Sequence, residues 1–138
     1  MKGRLHLRAE DAEDVPALSA LAQDFVARAA DIGFDMRARR LVLLGNRFCW
    51  ETRRPMRTRT ALVLSSLLRV KRRNWPADGE TVLELLAIEA EEGEEAVTLR
   101  LHFAGGAAIR AEAECVDLLL DDLADPVPTP RKPVHRPG

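Results

Sequence analysis

The sequence is poor in aromatic residues: Phe and Trp make up 4% of its 138 residues, and tyrosine is absent. Proteins that bind single-stranded nucleic acid stack bases on exposed aromatic rings, so this composition disfavours that class. The two cysteines, Cys49 and Cys115, allow one disulfide at most and no disulfide framework. We therefore expect free thiols, packed inward on strands, in a cytoplasmic protein.

Long hydrophobic runs are also missing. No stretch approaches 18 consecutive apolar residues, which disfavours a membrane-spanning helix, and the opening residues lack the apolar segment of a signal peptide. The apolar fraction of 46% and the charged fraction of 31% are typical of a globular protein with one core. We expect one domain over residues 1–125, followed by a proline-rich, disordered tail over residues 126–138.

Signatures of catalysis and of metal binding are absent too. His6, His102 and His135 follow no HExxH or related spacing, so we predict no metal site. Neither cysteine has an identifiable base beside it, and the adjacent carboxylates Asp121 and Asp122 are most simply solvated. We predict no catalytic residue and no cofactor. We favour a non-enzymatic binding or protein-interaction module over an enzyme.

Hydrophobic periodicity predicts one helix among several strands. Apolar residues at helical spacing from Val15 to Phe25, with Pro16 in the first turn, predict a helix over residues 13–25. A short strand precedes it, and alternating patterns predict a hairpin from Ile32 to Glu51 and strands over residues 60–72 and 81–90. The segment 52–60 is predicted to be a polar loop.

Together these elements predict an α+β fold. We expect a single, mainly antiparallel, curved sheet of six or seven strands, with the N-terminal helix packed on one face. Curvature or a homodimer would protect the sheet edges. The apolar residues over 116–123 fit a short C-terminal helix, although a strand that continues past a bulge fits them as well.

The last predicted hairpin allows a register argument. Its apolar residues are Val97, Leu99, Leu101 and Phe103 on one strand, and Ile109, Ala111, Ala113 and Cys115 on the other. Both sets share a face only if the numbers of paired residues sum to an even value. A three-residue connection, Gly105–Ala107, satisfies this condition and places Arg100 opposite Glu112.

Charge is divided between two blocks of the chain. Residues 37–73 hold twelve Lys and Arg and one carboxylate, whereas residues 74–125 hold fourteen carboxylates and two arginines. We expect the blocks to neutralise each other, because strand 60–72 would pair with strand 81–90. A second interpretation is a nucleic-acid or polyanion site, and a third is a protein partner with an acidic surface. The polyanion site would use Arg53, Arg54, Arg57, Arg59, Lys71, Arg72 and Arg73.

Three segments carry a family resemblance. Together they resemble a family of small bacterial proteins classed as a domain of unknown function, and they are LGNRFCWE (Leu44–Glu51), LLAIEAEEGE (Leu85–Glu94) and LHFAGGAAIRAEAECVDLLLDDL (Leu101–Leu123). Its members carry a similar Asn-Arg-Phe-x-Trp-Glu segment and a later Phe-Ala-Gly-Gly-x-x-Ile-Arg segment. The resemblance covers about residues 5–125 and implies no activity, ligand or catalytic residue.

The first of these segments raises the question of a pocket. We predict that Phe48 and Trp50 face the core, and Asn46 lies on the same side of the strand. A buried amide needs hydrogen-bond partners. Asn46 therefore either caps a neighbouring loop or lines a small pocket with Arg47 and Trp50.

Overall fold

The computed structural model describes residues 4–130, which form one α-helix and eleven β-strands. The helix, α1, spans Val15–Ala22. The strands are β1 His6–Ala9, β2 Val26–Arg28, β3 Ile32–Asp35, β4 Arg40–Phe48, β5 Met56–Leu64, β6 Leu67–Arg73, β7 Val82–Glu92, β8 Val97–Phe103, β9 Ala108–Ala113, β10 Leu118–Asp122 and β11 Val127–Pro128.

The strands form one antiparallel sheet. Its order is β1-β10-β5-β4-β2-β7-β8-β9-β6, and β3 and β11 are attached beside β4 and β5. The sheet is open, because β1 and β6 end this path. The predicted α+β class, with a mainly antiparallel sheet and one N-terminal helix, is confirmed. The predicted number of six or seven strands is wrong, because the short β2 and β11 carry too few residues to show a pattern and the predicted strand 60–72 is two strands.

The helix is shorter than predicted. A 3-10 turn over Ala12–Asp14 precedes it. The chain leaves the helix after Ala22 and turns back to the sheet at Asp24, whose φ of 68° lies in the left-handed region. The helix packs on β7, where the Ile88 amide donates to the Ser19 hydroxyl at 2.9 Å.

A shared bend folds the sheet over one core. β5 and β6 are separated only by Ser65 and Ser66, and opposite them the chain bends between β9 and β10. The Ser65 amide donates to the Asp117 carbonyl, and the Glu114 amide donates to the Ser66 carbonyl. Both segments therefore bend together. Their inner side chains belong to a single buried cluster that includes Leu62, Leu64, Leu99, Ile109 and Leu118.

This arrangement corrects three predictions. Strand 60–72 is two strands, and it does not pair with strand 81–90, because β5 pairs with β4 and β10 while β6 pairs with β9. Residues 118–122 form β10 rather than a short C-terminal helix. The predicted loop over 52–60 is a strand from Met56 onward.

The register of the β8–β9 hairpin agrees with the parity argument. Val97 pairs with Ala113 and Leu101 with Ile109, so the paired numbers sum to an even value. Seven of the eight predicted inward side chains are buried. Cys115 is exposed instead, because the strand ends at Ala113 and the chain then bends.

The connection of this hairpin lies one residue earlier than predicted. It spans Ala104–Gly106, and both glycines have positive φ, 84° and 94°. The pairing is thereby shifted by two residues, which keeps each side chain on its face. Arg100 consequently lies opposite Arg110, and the predicted pair with Glu112 is wrong.

Paired structure continues beyond residue 125. β11 pairs with β5, and the Thr129 amide donates to the Pro55 carbonyl at 3.0 Å. Residues 131–138, most of the predicted tail, lie outside the described residues.

Candidate functional site

The two faces of β4 are the reverse of the prediction. Leu41, Leu43 and Arg47 are buried on the core side, whereas Asn46 is exposed. Phe48 is buried by contacts on the other face. Its ring meets Trp50 in a T-shaped contact with centroids 4.7 Å apart, and it lies beneath the Arg57 guanidinium at 5.6 Å. Both alternating sets of this strand contain apolar residues, so alternation alone could not identify the inner face.

The predicted pocket residues do not converge. Asn46 and Arg47 are neighbours on a strand and point to opposite faces of the sheet. Trp50 follows the strand, and its indole N–H donates to the Gln23 carbonyl at 2.7 Å. The prediction that Asn46 is a buried amide is wrong.

Arg47 instead forms the centre of a buried charge cluster, which we define as Arg47, Glu51, Thr60 and Asp122. The Arg47 and Asp122 side chains are both 0% exposed. Arg47 donates through Nε and Nη2 to the two Asp122 carboxylate oxygens at 2.8 Å each. It also donates to Glu51, with distances of 2.9 Å from Nη1 and 2.6 Å from Nη2.

The buried charge cluster has no donor left for a ligand. A fifth hydrogen bond, from Nη1 to the Phe48 carbonyl, engages the last N–H of the guanidinium. Asp122 additionally accepts from the Thr60 hydroxyl at 2.9 Å and from the Leu5 amide at 2.8 Å. The cluster thus connects β4, β5 and β10 with Leu5, the residue that precedes β1.

Hydrogen bonds within the buried charge cluster favour the charged forms of Arg47, Glu51 and Asp122. Burial alone would raise the pKa of Asp122 and of Glu51, but hydrogen bonds from Arg47 outweigh it and lower both pKa values. Burial alone would lower the pKa of Arg47, and its bonds to the two carboxylates raise it instead. Nearby, burial raises the pKa of the Cys49 thiol to about 11, so this thiol is not an activated nucleophile.

The seven residues of the predicted polyanion site fall into two groups. Arg53 and Arg54 are exposed in the turn after β4, and Arg57 and Arg59 follow on β5. The other three residues, Lys71–Arg73, lie at the end of β6, which among the described strands pairs only with β9. The bend at Ser65 and Ser66 separates the two groups.

The second group contributes to a surface that the sequence did not reveal. We define the basic face as Lys71, Arg73, Arg100, His102 and Arg110, on the outer side of β6, β9 and β8. Lys71 lies directly opposite Arg110, and Arg110 lies directly opposite Arg100. Three cations thus form a row across three adjacent strands.

A depression of about 440 Å³ lies over the basic face. The small side chain of Ala108 lies between Arg73 and His102 in the next row of the sheet. Asn74 closes one end of the surface, where its side-chain amide donates to the Gly106 carbonyl at 3.1 Å. The hairpin turn is thereby fixed beside the depression.

Carboxylates compensate the basic face only in part. Arg100 donates to Glu91 at 2.9 Å, and His102 lies 2.7 Å from Glu89. Among residues 4–130, Lys71, Arg73 and Arg110 form no ion pair.

The expected neutralisation of the basic block therefore holds only locally. Arg39 pairs with Glu114, Arg69 with Glu112 and Arg47 with Asp122, so these acidic partners come from β9, the bend after it and β10 rather than from β7. In the described part of the chain, no group of His, Cys, Asp and Glu side chains is arranged to hold a metal ion.

Sequence reasoning missed Arg100 and Arg110 because both lie within the acidic block. Their alternation with Leu99, Leu101, Ile109 and Ala111 marks them as outward residues. With the register shifted by two residues, the same pattern places them side by side.

Comparison with known proteins identifies the family. The family model described as "Protein of unknown function (DUF2948)" matches residues 5–135, and the chain belongs to this family. Neither the curated proteins nor the solved structures include a match. No helix within residues 4–130 is long and apolar enough to cross a membrane.

Proposed function

We propose that this member of the DUF2948 family is a non-enzymatic binding module whose basic face takes up an anionic partner. The observation that supports this is the row of Lys71, Arg110 and Arg100. Like charges directly opposite each other on neighbouring strands destabilise a sheet. A partner that carries several negative charges would convert this repulsion into attraction.

Protection of a sheet edge explains only part of the basic face. Charged residues, lysine especially, discourage edge strands from pairing with other molecules, and this accounts for Lys71 and Arg73 on β6. Arg110 and Arg100 lie on β9 and β8, which have neighbours on both sides. Their charges need another explanation, and anion binding supplies one.

A nucleic acid is the second candidate partner. The guanidinium groups of Arg100 and Arg110 suit phosphate oxygens, and the small Ala108 leaves the depression open beside them. The scarcity of aromatic residues favours contact with a duplex backbone over stacking on single-stranded bases.

Fluorescence anisotropy with two labelled probes, poly-glutamate and duplex DNA, tests the proposal. We expect at least one probe to bind at about 50 mM salt and to dissociate as salt rises. Arg110→Glu should weaken that binding about tenfold or more, a change of about 1.4 kcal/mol.

Arg53→Glu is the matched control. Arg53 is an exposed arginine in the turn after β4, away from the basic face, so its reversal should leave the affinity nearly unchanged. Equal losses for the two variants, or binding of neither probe at about 50 mM salt, would overturn the proposal.

A further inference from the structure

We propose that the free edge of β6 binds an extended peptide segment in which acidic and apolar residues alternate, so that the partner adds a strand to the sheet. This inference rests on the proposed function, because Lys71 and Arg73 would contact the acidic residues of the partner. It goes further by naming the class of partner and the way in which it binds.

The first observation is the unpaired edge. β6 ends the strand order, and within residues 4–130 its only neighbour in the sheet is β9. One bond ties its beginning on the other side, from the Leu67 amide to the Arg39 carbonyl at 3.0 Å. Beyond that bond the edge is accessible, and Leu68 is 46% exposed. Backbone groups of such an edge are ready partners for an added strand.

The second observation is a cavity of about 330 Å³ beside this edge. Phe34 of β3 and Val70 of β6 both line it, and Leu41 and Ile109 contribute further apolar surface. β3 pairs only with β4 among the described strands, so the edge of β3 that faces away from β4 also lacks a strand partner. The cavity thus lies where two strand edges leave the sheet open.

The side chains of β6 specify the pattern that a partner would need. Val70 and Arg72 line the cavity, whereas Arg69, Lys71 and Arg73 lie on the other side of the strand. An added strand would alternate in the same way. Its apolar residues would enter the cavity, and its acidic residues would lie beside Lys71 and Arg73 on the basic face.

A second copy of this chain fits the edge poorly. Two-fold antiparallel pairing of β6 with itself would bring Arg69, Lys71 and Arg73 close to the same three residues of the copy. The same three cations would repel a second copy and attract an acidic strand. A nucleic acid lacks the peptide groups that continue a sheet, so the edge selects a peptide.

Three labelled peptides, which differ in residue order or in one proline, test the inference. The first alternates valine and glutamate, the second carries the same residues in two separate blocks, and the third is the alternating peptide with a central proline. We expect the alternating peptide to bind about tenfold more tightly than the other two, because only it can present both faces and an unbroken ladder.

Hydrogen exchange on the complex should show new protection of β6 amides within residues 68–73. Lys71→Glu should weaken binding of the alternating peptide about tenfold, whereas Arg53→Glu should not. Protection confined to β8 and β9 would contradict strand addition.

The outcomes separate this inference from the proposed function. Equal binding of the alternating and blocked peptides, both sensitive to Arg110→Glu, would overturn strand addition and leave the basic face as an anion site. Absence of binding to the peptides, to poly-glutamate and to duplex DNA would overturn both. Sedimentation that shows a dimer, and its loss in Leu68→Pro, would assign the edge to a second copy and overturn the inference.

Discussion

Arginine serves two different purposes in the buried charge cluster and on the basic face. Arg47 is 0% exposed, and all its donors meet carboxylates or a carbonyl inside the protein. Arg110 lies on the surface between two other cations and has no carboxylate partner in the described residues. The first arrangement stabilises the fold, whereas the second weakens it slightly.

The comparison shows that the number of charges in a segment says little about their use. Arg47 and Lys71 belong to the same basic block of the sequence. Partners contributed by distant strands, Asp122 in one case and Arg110 in the other, determine whether each charge is satisfied. A cation without a carboxylate partner, which costs some stability, indicates a binding surface better than the number of charges in a segment does.

Removal of the buried cation should have the largest effect. Arg47→Ala leaves Asp122 buried without its ion partner, and we expect a loss of about 3–5 kcal/mol in the free energy of unfolding. Urea denaturation measures it. Arg59→Ala, at an exposed position on β5, is the control and should cost no more than about 0.5 kcal/mol. A loss below about 1 kcal/mol for Arg47→Ala would contradict a structural role for the cluster.

Acidification should have the second largest effect on the free energy of unfolding, through the buried charge cluster. The folded state lowers the pKa values of Asp122 and Glu51, so the unfolded chain takes up protons at a higher pH than the folded one. The stabilisation is present above the ordinary carboxylate pKa of about 4 and is lost as pH falls through the folded values. Denaturation at a series of pH values should show this loss.

Asp122→Asn supplies the comparison for the acid experiment. This variant lacks one of the two titrating carboxylates of the buried charge cluster, so its stability should be lower at neutral pH and should change less between about pH 5 and pH 2. An unchanged acid dependence would assign the loss to other carboxylates.

Charge reversal on the basic face should have a smaller effect with the opposite sign. Arg110→Glu converts two like-charge contacts into attractive ones, and we expect a gain of about 0.2–1 kcal/mol in the free energy of unfolding. Arg69→Glu, two residues from Lys71 on the same strand, removes the ion pair with Glu112 and should lose stability. A loss for both variants would contradict the repulsion argument.

Salt should have the smallest effect. Raising ionic strength screens the row of cations, because the Debye length falls from about 10 Å at 0.1 M to about 3 Å at 1 M. The original protein should therefore gain a few tenths of a kcal/mol relative to Arg110→Glu over this range. Parallel thermal melts of the two proteins measure the difference, and an equal response would contradict the prediction.

The sequence predicted the elements with unambiguous patterns. β8 and β9 alternate strictly, so their inward residues were predicted correctly up to Ala113. The packing of the helix on the sheet was predicted correctly. Its end was predicted too late, because nothing local signals the left-handed turn at Asp24. The α+β class follows from these elements.

The sheet order and the candidate site depend on pairings between distant segments. The bend at Ser65 and Ser66 divides what reads as one strand, and this bend sends β6 to β9 rather than to β7. On β4, Leu41 and Phe48 have opposite orientations and similar hydrophobicity, so the hydrophobic pattern could not identify the face that packs on the core. In the β8–β9 hairpin, the register shift of two residues left each side chain on its predicted face of the sheet. It nevertheless changed the partner of Arg100 from Glu112 to Arg110.

The place of β1 in the sheet has a consequence for synthesis. This strand precedes all the other described strands in the chain, and within residues 4–130 its only sheet neighbour is β10, where His6 pairs with Asp121. On the ribosome, the backbone of β1 must therefore wait for its partner until β10 has emerged. Closure of this end of the core by the Leu5 amide and Asp122 is a late event in the folding of the described residues, and growing chains expose apolar surface there until β10 has been made.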